Sequence, residues 1–527
     1  MKKVKKIVIP IIIAVILIVC SIFVYYNYFY DSNKLSIREK EWINSNANKV
    51  ISFGIPTNLN NFSKSGMGIF YDFTKDLADE YKLKVNNNSY TSFDNSLGFY
   101  LTSVQNDNDL LFYKDFYVLV SKDDKVVTDI NQVKDAKVGT ISDYSSFLTS
   151  NTTFSGTISL ATNKESLLKD FATNYDYIFV PLNEYLDEIV SNNYKVVYQF
   201  ENIPIYYYLH LGTDTTFNGV VKKYYNEWMN NSLDEYYYKH LFSLYKTELS
   251  LTDLEIDSFN KNVYSFGFVT KSPLISGNSS KIGGIIAEYL KEFSKLTNAE
   301  FKYVAYKNNS DLEKAYNNKK IDLLFNDTTN YENAIKTNIN EKFAIISNNK
   351  DSDFYANLNM INNKNLCVIE NSNLFGYLSS FSNINIEKVK NEQKLIRCLK
   401  KNKLVAIDEY TLNYYSNDLV KDYHVVYSGY NTNNFSFKYK SNDDAFYKVF
   451  NSYINTLGNK EMMVRGLTSY VKMSNVSNIV ISVAKYILII SGVGILVAGI
   501  IIYSKKKVKL NTRISKDEKL KFVDMMT

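Results

Sequence analysis

Arginine is nearly absent from this 527-residue chain. Between two long apolar stretches near its ends it occurs only as Arg38, Arg397 and Arg465. Proline (5) and glycine (19) are too few for a collagen-like or Pro-rich linker protein. Three Cys and three His, none clustered, give no metal-ligand spacing, so neither a metal nor another cofactor is expected. A phosphate-cradling glycine loop is missing, as is any hydrolase or kinase signature. His210, His240 and His424 stand far apart, and no nucleophile has a recognisable partner, so no catalytic residues are expected.

Hydrophobic residues make up 45% and aromatics 15%, which argues against disorder. A mean hydropathy of -0.24 excludes a wholly intramembrane transporter. The aromatics include Tyr206-Tyr207-Tyr208 and Tyr236-Tyr237-Tyr238; with 45 tyrosines in the chain, packing is their default role. The net charge of +6 is carried by the lysine-rich ends. Nucleic-acid binding is therefore not indicated.

Ile7 to Tyr26 is apolar for 20 residues and follows Lys2, Lys3, Lys5 and Lys6. Ile479 to Tyr503 precedes Lys505, Lys506, Lys507 and Lys509. Each is long enough to cross a bilayer. The positive-inside bias then gives a two-pass cell-membrane protein with both termini cytoplasmic and about 31–475 outside. A cleaved signal is the rival for the first stretch, but no small-residue cleavage site follows it. Gly494 and Ala498 form a small-xxx-small pair, through which a homodimer would pack. Cys367 and Cys398 lie outside; a disulfide and two separate buried thiols are both open.

The outer region reads twice. Val50-Ile51-Ser52-Phe53-Gly54-Ile55 recurs as Val263-Tyr264-Ser265-Phe266-Gly267-Phe268, an offset of 213. Asp109-Leu110-Leu111-Phe112 recurs as Asp322-Leu323-Leu324-Phe325 at the same offset. Gly68-Ile69-Phe70-Tyr71-Asp72-Phe73 parallels Gly284-Ile285-Ile286-Ala287-Glu288-Tyr289, each opening a helix-spaced segment. In the second copy, strands are expected at Tyr264–Val269, Phe301–Ala305, Ile321–Phe325, Leu366–Ile369 and Val405–Asp408. Helices are expected at Ile282–Leu296, Ser310–Asn317 and Glu392–Lys400. Such alternation favours a mostly parallel α/β sheet.

Each copy resembles the type II periplasmic-binding-protein fold of the family 3 solute-binding proteins. In the second copy the resemblance rests on the first strand, the Gly283-Gly284-Ile285 helix start and Ile321-Asp322-Leu323-Leu324. It continues in Phe343-Ala344-Ile345-Ile346 and Ala406-Ile407-Asp408-Glu409-Tyr410. In the first copy it rests on the crossing Phe116-Tyr117-Val118-Leu119-Val120 and on Gln132 to Gly139. The fold class is thus two tandem bilobed α/β domains of this type flanked by two transmembrane helices. The expected divisions are 1–30, 31–248, 249–475, 476–504 and 505–527.

The family holds amino acids with an arginine on the carboxylate and an aspartate on the ammonium. Its Thr-x-x-x-x-Arg segment falls on Thr329 to Ala334, so alanine stands at the arginine position; Lys336 could serve only as a point charge. The aspartate position falls on Tyr410, and near Pro181 in the first copy. The resemblance places the second cleft at Ser272 and Pro273, Asp327, Thr328, Thr329 and Asn330, Glu370, Asn371 and Ser372, with Asp408 and Tyr410 opposite. A carboxylate-rich, arginine-free cleft suits a cationic or neutral small molecule: an amine, an amino acid or a peptide. An ordinary polar turn at Thr328–Asn330 and a strand-end cap at Asp408 are the plainer readings.

The ending Phe522-Val523-Asp524-Met525-Met526-Thr527 resembles the opening of a diguanylate cyclase domain, but its Gly-Gly-(Asp/Glu)-Glu-Phe signature is absent. The expectation is a non-enzymatic, membrane-anchored sensor that passes ligand-induced lobe closure to such an output. A substrate-capture protein of a transporter, or a surface interaction protein with degenerate repeats, are the alternatives.

Overall fold

The computed structural model describes residues 34–470 apart from 124–126, 128, 271–273, 327–333, 338, 340, 350–353, 363, 371, 391, 410, 413–422, 432–434, 442–443, 458–461 and 463. Two repeats follow one another. Each opens with a helix, Ile37–Asn46 or Asp253–Lys261, started by a reciprocal cap: Ser36 with Glu39, and Thr252 with Glu255. Each then enters a strand, β1 (Val50–Pro56) or β9 (Val263–Val269). A 13-residue helix follows, Ile69–Tyr81 or Ile285–Thr297. Gly68 and Gly284 cap these helices at φ 123° and 110°, a region that a side chain rarely adopts. A Cβ at Gly68 would also lie 2.4 Å from the Phe62 carbonyl. Lys82 and Asn298 end the two helices in the left-handed conformation.

The second repeat has two five-stranded sheets, one per lobe. The first lobe runs β12-β9-β13-β20-β14, with β12 at Glu300–Tyr306, β13 at Leu323–Asn326, β14 at Ala334–Lys336 and β20 at Ser436–Tyr439. The second runs β17-β16-β18-β15-β19. Its strands are β15 (Glu341–Ser347), β16 (Asn365–Ile369), β17 (Asn385–Val389), β18 (Leu404–Asp408) and β19 (His424–Asn431). Helices Asn309–Asn317 and Glu392–Lys400 occur where the apolar spacing places them. The helix expected from Ile282 begins instead at Ile285, because Lys281–Gly283 (β11) pairs back on Ser276–Asn278 (β10).

The first repeat has the same order fused into one eight-stranded sheet, β2-β1-β3-β8-β4-β7-β5-β6. Here β2 is Lys84–Tyr90, β3 Gly98–Thr102, β4 Leu110–Ser121 and β5 Lys137–Ile141. The remaining strands are β6 (Thr157–Ala161), β7 (Tyr177–Pro181) and β8 (Lys195–His210). Strand β4 does the work of β14 and β15 together, and β8 that of β19 and β20. Gly98 pairs with Gly54 as Leu324 pairs with Gly267, so β3 is the partner of β13. Asp109-Leu110-Leu111-Phe112, expected to match Asp322–Phe325, instead opens the crossing strand β4. The mismatch arises because the first repeat has no counterpart of helix Asn309–Asn317.

The repeats share one apolar core. Leu186, Val190, Leu241 and Tyr245 of the first pack with Tyr289, Leu290, Phe293 and Tyr453 of the second. Tyr245 Oη and Thr456 Oγ1 are 2.7 Å apart, and Asn451 and Asn455 both donate to Asn193 Oδ1. Lys195 Nζ reaches the Lys336 carbonyl at 2.8 Å. The first lobe of the second repeat is thus built into the first repeat.

The expectation of two flanking transmembrane helices, and with it the two-pass placement, is not supported. Among the described residues no helix is long and apolar enough to cross a membrane. Helix Thr215–Asn231, 17 residues with Lys222, Lys223 and several Asn, is both too short and too polar. The stretches Ile7–Tyr26 and Ile479–Tyr503 lie outside the described residues.

Candidate functional site

Open α/β sheets bind ligands outside the carboxyl ends of their parallel strands. In the first repeat this space is filled by the chain itself. The segment after β1 folds back, with the Ser63 amide on the Leu59 carbonyl, and docks on the next helix through Ile69 N and Phe70 N. It presents Phe62, fully buried, against Phe70, Tyr113 and Tyr207 at centroid distances of 5.3, 4.8 and 4.9 Å.

Beside Phe62, polar groups cross from lobe to lobe. Asn60 Nδ2 donates to the Asn183 carbonyl at 2.8 Å and to Asp187 Oδ1 at 2.9 Å. Lys64 donates to Asn60 Oδ1 and forms an ion pair with Asp187. Lys164 holds the far side, on the Glu184 carbonyl at 2.7 Å and Glu188 Oε1 at 2.9 Å. At the base, buried Asp115 accepts from Asn183 N (3.1 Å) and Tyr207 Oη (2.9 Å). Burial pushes the Asp115 carboxyl up to about 6. Burial, with the neighbouring Asp187, pushes Glu188 up to about 7. Burial opposes ionisation of Asp187 too, but hydrogen bonds from Glu188, Lys64 and Asn60 and the charge of Lys164 hold it below its ordinary value.

Of the residues expected to line the second cleft, Glu370, Ser372 and Asp408 are described. All three come at the ends of strands in one sheet, with Ser372 and Glu370 after β16 and Asp408 at the end of β18. Ser372 Oγ accepts from Phe375 N at 3.1 Å and donates to the Ile369 carbonyl at 2.7 Å, so it caps helix Asn373–Leu378. Asp408 is buried and accepts from Thr411 N at 2.8 Å, the arrangement of a strand-end cap. Burial lifts its carboxyl to about 6. The Glu370 amide donates to the Val389 carbonyl. Ser272, Pro273, Asp327, Thr328, Thr329, Asn330, Asn371 and Tyr410 lie outside the described residues.

The groups that shut the first cleft escaped sequence reasoning, because Asn60 and Asp187 are 127 residues apart. The one signal was position: Asn60 and Lys64 follow the first strand where Ser272 and Pro273 follow its copy. Two histidines also find carboxylates only in the fold, His210 with Asp109 at 3.0 Å and His240 with Asp72. Cys367 and Cys398 form a disulfide between β16 and helix Glu392–Lys400.

Strand order and the paired crossings define two tandem, two-lobed α/β repeats of the type II binding-protein kind. No known family description matches the sequence, and no curated protein does. Similar solved structures include the periplasmic domain of BvgS from B. pertussis, at 13% identity over 83% of this chain and 92% of that one, with a TM-score of 0.34. A structure described as VC protein matches at 12% identity over 78% and 99%, with a TM-score of 0.43. The GluR0 ligand-binding core in complex with L-glutamate matches at 16% identity over 39% and 98%, with a TM-score of 0.32. With TM-scores this low, the fold rests on the chain's own strand order.

Proposed function

We propose that the chain is the ligand-binding input module of a signalling receptor, in which the second repeat responds to ligand and the first is held shut. The observation that carries this reading is the difference between the crossings. In the second repeat β14, ending at Lys336, and β20, starting at Ser436, belong to one sheet, while β15, starting at Glu341, and β19, ending at Asn431, belong to another. In the first repeat β4 and β8 are shared by both lobes in one sheet, their pairing interrupted by bulges, and Phe62, Asn60 and Lys64 occupy the cleft. A hinge needs a few residues that absorb a change of backbone angle. In the second repeat no described strand is common to the two sheets, so the second lobe can turn against the first, which the shared core anchors.

The moving body is then the lobe of β15 to β19. Ligand contact is assigned to Ser272, Asp327, Thr328, Thr329, Asn330, Glu370 and Tyr410, with Ser372 and Asp408 shaping the wall as caps. Their carboxylates and the absence of arginine favour an amine-bearing ligand: a polyamine, a cationic amino acid or a short peptide. Closure of that lobe would be passed to an output domain of the diguanylate cyclase kind.

The test is calorimetric titration and thermal shift of the full chain against amino acids, polyamines and short peptides. The expected result is binding by at least one of them, weakened about tenfold or more in Glu370→Gln, whose lost charge removes a charge-assisted contact. Asn60→Ala, in the first cleft, should leave that affinity within about twofold, since among the described residues Asn60 and Glu370 share no hydrogen-bond partner. Binding that vanishes in Asn60→Ala and survives in Glu370→Gln would put the ligand in the first repeat and overturn the assignment.

A further inference from the structure

Outside both clefts, a hollow of about 540 Å³ lies on the flank of the second lobe of the first repeat. Its floor and one wall come from an irregularity in β8. Where β4 steps from Phe116 to Val118, its partner on β8 jumps from Pro204 to Gln199, leaving Phe200 to Ile203 bulged out of the ladder. Bulges of this kind re-aim side chains and often flank functional sites. Here Phe200 and Asn202 both line the hollow. Phe200 is buried beneath, and the half-exposed Tyr198 stands edge-on to it at 4.9 Å.

The opposite rim is polar. It comes from the end of helix Ser142–Asn151 and the residues after it, with Ser150, Asn151 and Thr153 exposed. Asn202 Nδ2 donates to the Asn151 carbonyl, tying the two walls together, and Asn131 Nδ2 donates to Thr153 Oγ1 at 3.3 Å. Among the described residues, no lysine or arginine lines the hollow. Its one carboxylate, Asp129, already accepts from Asn131 N at 2.7 Å as a cap. Among the described lining residues an anion would find no counter-charge, and a purely apolar ligand would leave amides and hydroxyls without partners, which costs binding energy. Hydroxyls and amides that both donate and accept, set against an aromatic ring, match a neutral ligand with alternating hydroxyl groups and a C–H face.

We propose that this hollow is a second binding site, taking a neutral saccharide whose C–H face lies on Tyr198 and whose hydroxyls pair with Asn202, Asn151 and Thr153. It stands beside the second repeat. Lys195, three residues before Tyr198 on the same strand, bonds the Lys336 carbonyl of that repeat. Tyr430 of β19 is also near enough, after burial and Asp129, to help raise the Tyr198 phenol. An occupant would therefore rest on a strand that touches the second repeat through Lys195.

The experiment is titration of the full chain with glucose, N-acetylglucosamine, maltose and chitobiose, followed by calorimetry and saturation-transfer NMR. At least one should bind at millimolar concentration or below. Tyr198→Ala should weaken it about tenfold or more, while Tyr198→Phe keeps it within about threefold, because the ring rather than the hydroxyl makes the platform. Thr153→Val, at an exposed position, should weaken it about threefold and serves if Tyr198→Ala does not fold. No binding by any of the four sugars overturns the proposal. So does sugar binding unchanged in both Tyr198→Ala and Thr153→Val, or competition with a ligand that Glu370→Gln weakens.

Discussion

Replacing Phe62 by alanine tests the central claim that the first cleft is shut by its own side chain. The ring is fully buried and contacts Phe70, Tyr113 and Tyr207, with Tyr207 edge-on at 84°. A buried Phe→Ala change costs about 3–5 kcal/mol, the upper part applying where neighbours cannot collapse into the space. Collapse is limited here, because Tyr207 is held by Asp115 and the Phe62 segment is pinned at Ile69 and Phe70. The edge-on pair adds about 0.5–1.5 kcal/mol to what area alone would give. A loss of about 4 kcal/mol is therefore expected, centred on the first repeat. In a two-repeat chain the clean readout is local. Amide exchange at Ile69 and Phe70, whose partners are the Asn61 and Phe62 carbonyls, should accelerate, while exchange in β15 and β18 stays as it was. The vacated space is apolar on the Phe70 and Tyr207 side, so benzene should restore part of the lost stability. A loss below about 1 kcal/mol, or no change in exchange at Ile69 and Phe70, would refute the reasoning.

Two further perturbations read the same framework. Burial raises Asp115 from near 3.8 to about 6, so between about pH 4 and 6 the folded chain holds a proton that the unfolded chain has released. That group makes stability fall as pH rises through the window, by as much as about 3 kcal/mol, and adds no further change above it. Asp115→Asn cannot titrate; the gap between its stability and the wild type's, measured by urea unfolding, should shift in the variant's favour from pH 4 to pH 7, and parallel curves would contradict the burial of this carboxyl. The Cys367–Cys398 bond closes a separation of 31 residues, for which unfolded-chain entropy predicts about 3–4 kcal/mol of stabilisation. Cys398→Ser should show that loss as faster amide exchange in β16 to β18, with the first repeat unaffected; equal exchange in the two proteins would show that the crosslink constrains nothing.

How much of this was legible in the sequence depends on distance along the chain. The duplication could be read from Val50–Ile55 and Val263–Phe268, and the helix starts from Gly68 and Gly284, because a positive φ with extended ψ at the cap favours glycine locally. Helix Glu392–Lys400 could be read to the residue, since its apolar spacing sits between a strand end and Lys401-Asn402. Matching Asp109 to Asp322 misled, because Leu-Leu-Phe patterns suit any buried strand and the missing helix shifted the register. The cap made by Asp408 was anticipated as the plainer reading of that side chain, whereas Ser372 was expected only as a cleft residue. The carboxylate–histidine pairs and the disulfide were not decidable from spacing.

Sequence by itself determined what depends on neighbours along the chain: two copies of an alternating α/β unit, the scarcity of arginine and hence of a guanidinium clamp. Only the tertiary structure decided that the first copy is one sheet with a filled cleft and the second two separate sheets. Whether β4 and β8 are shared by both lobes depends on partners 74 to 99 positions apart, and whether Asn60 and Lys64 meet Asp187 on residues 127 and 123 apart. Such contacts leave no periodicity in the chain. They form only when both lobes have folded and brought the two ends of the lock together.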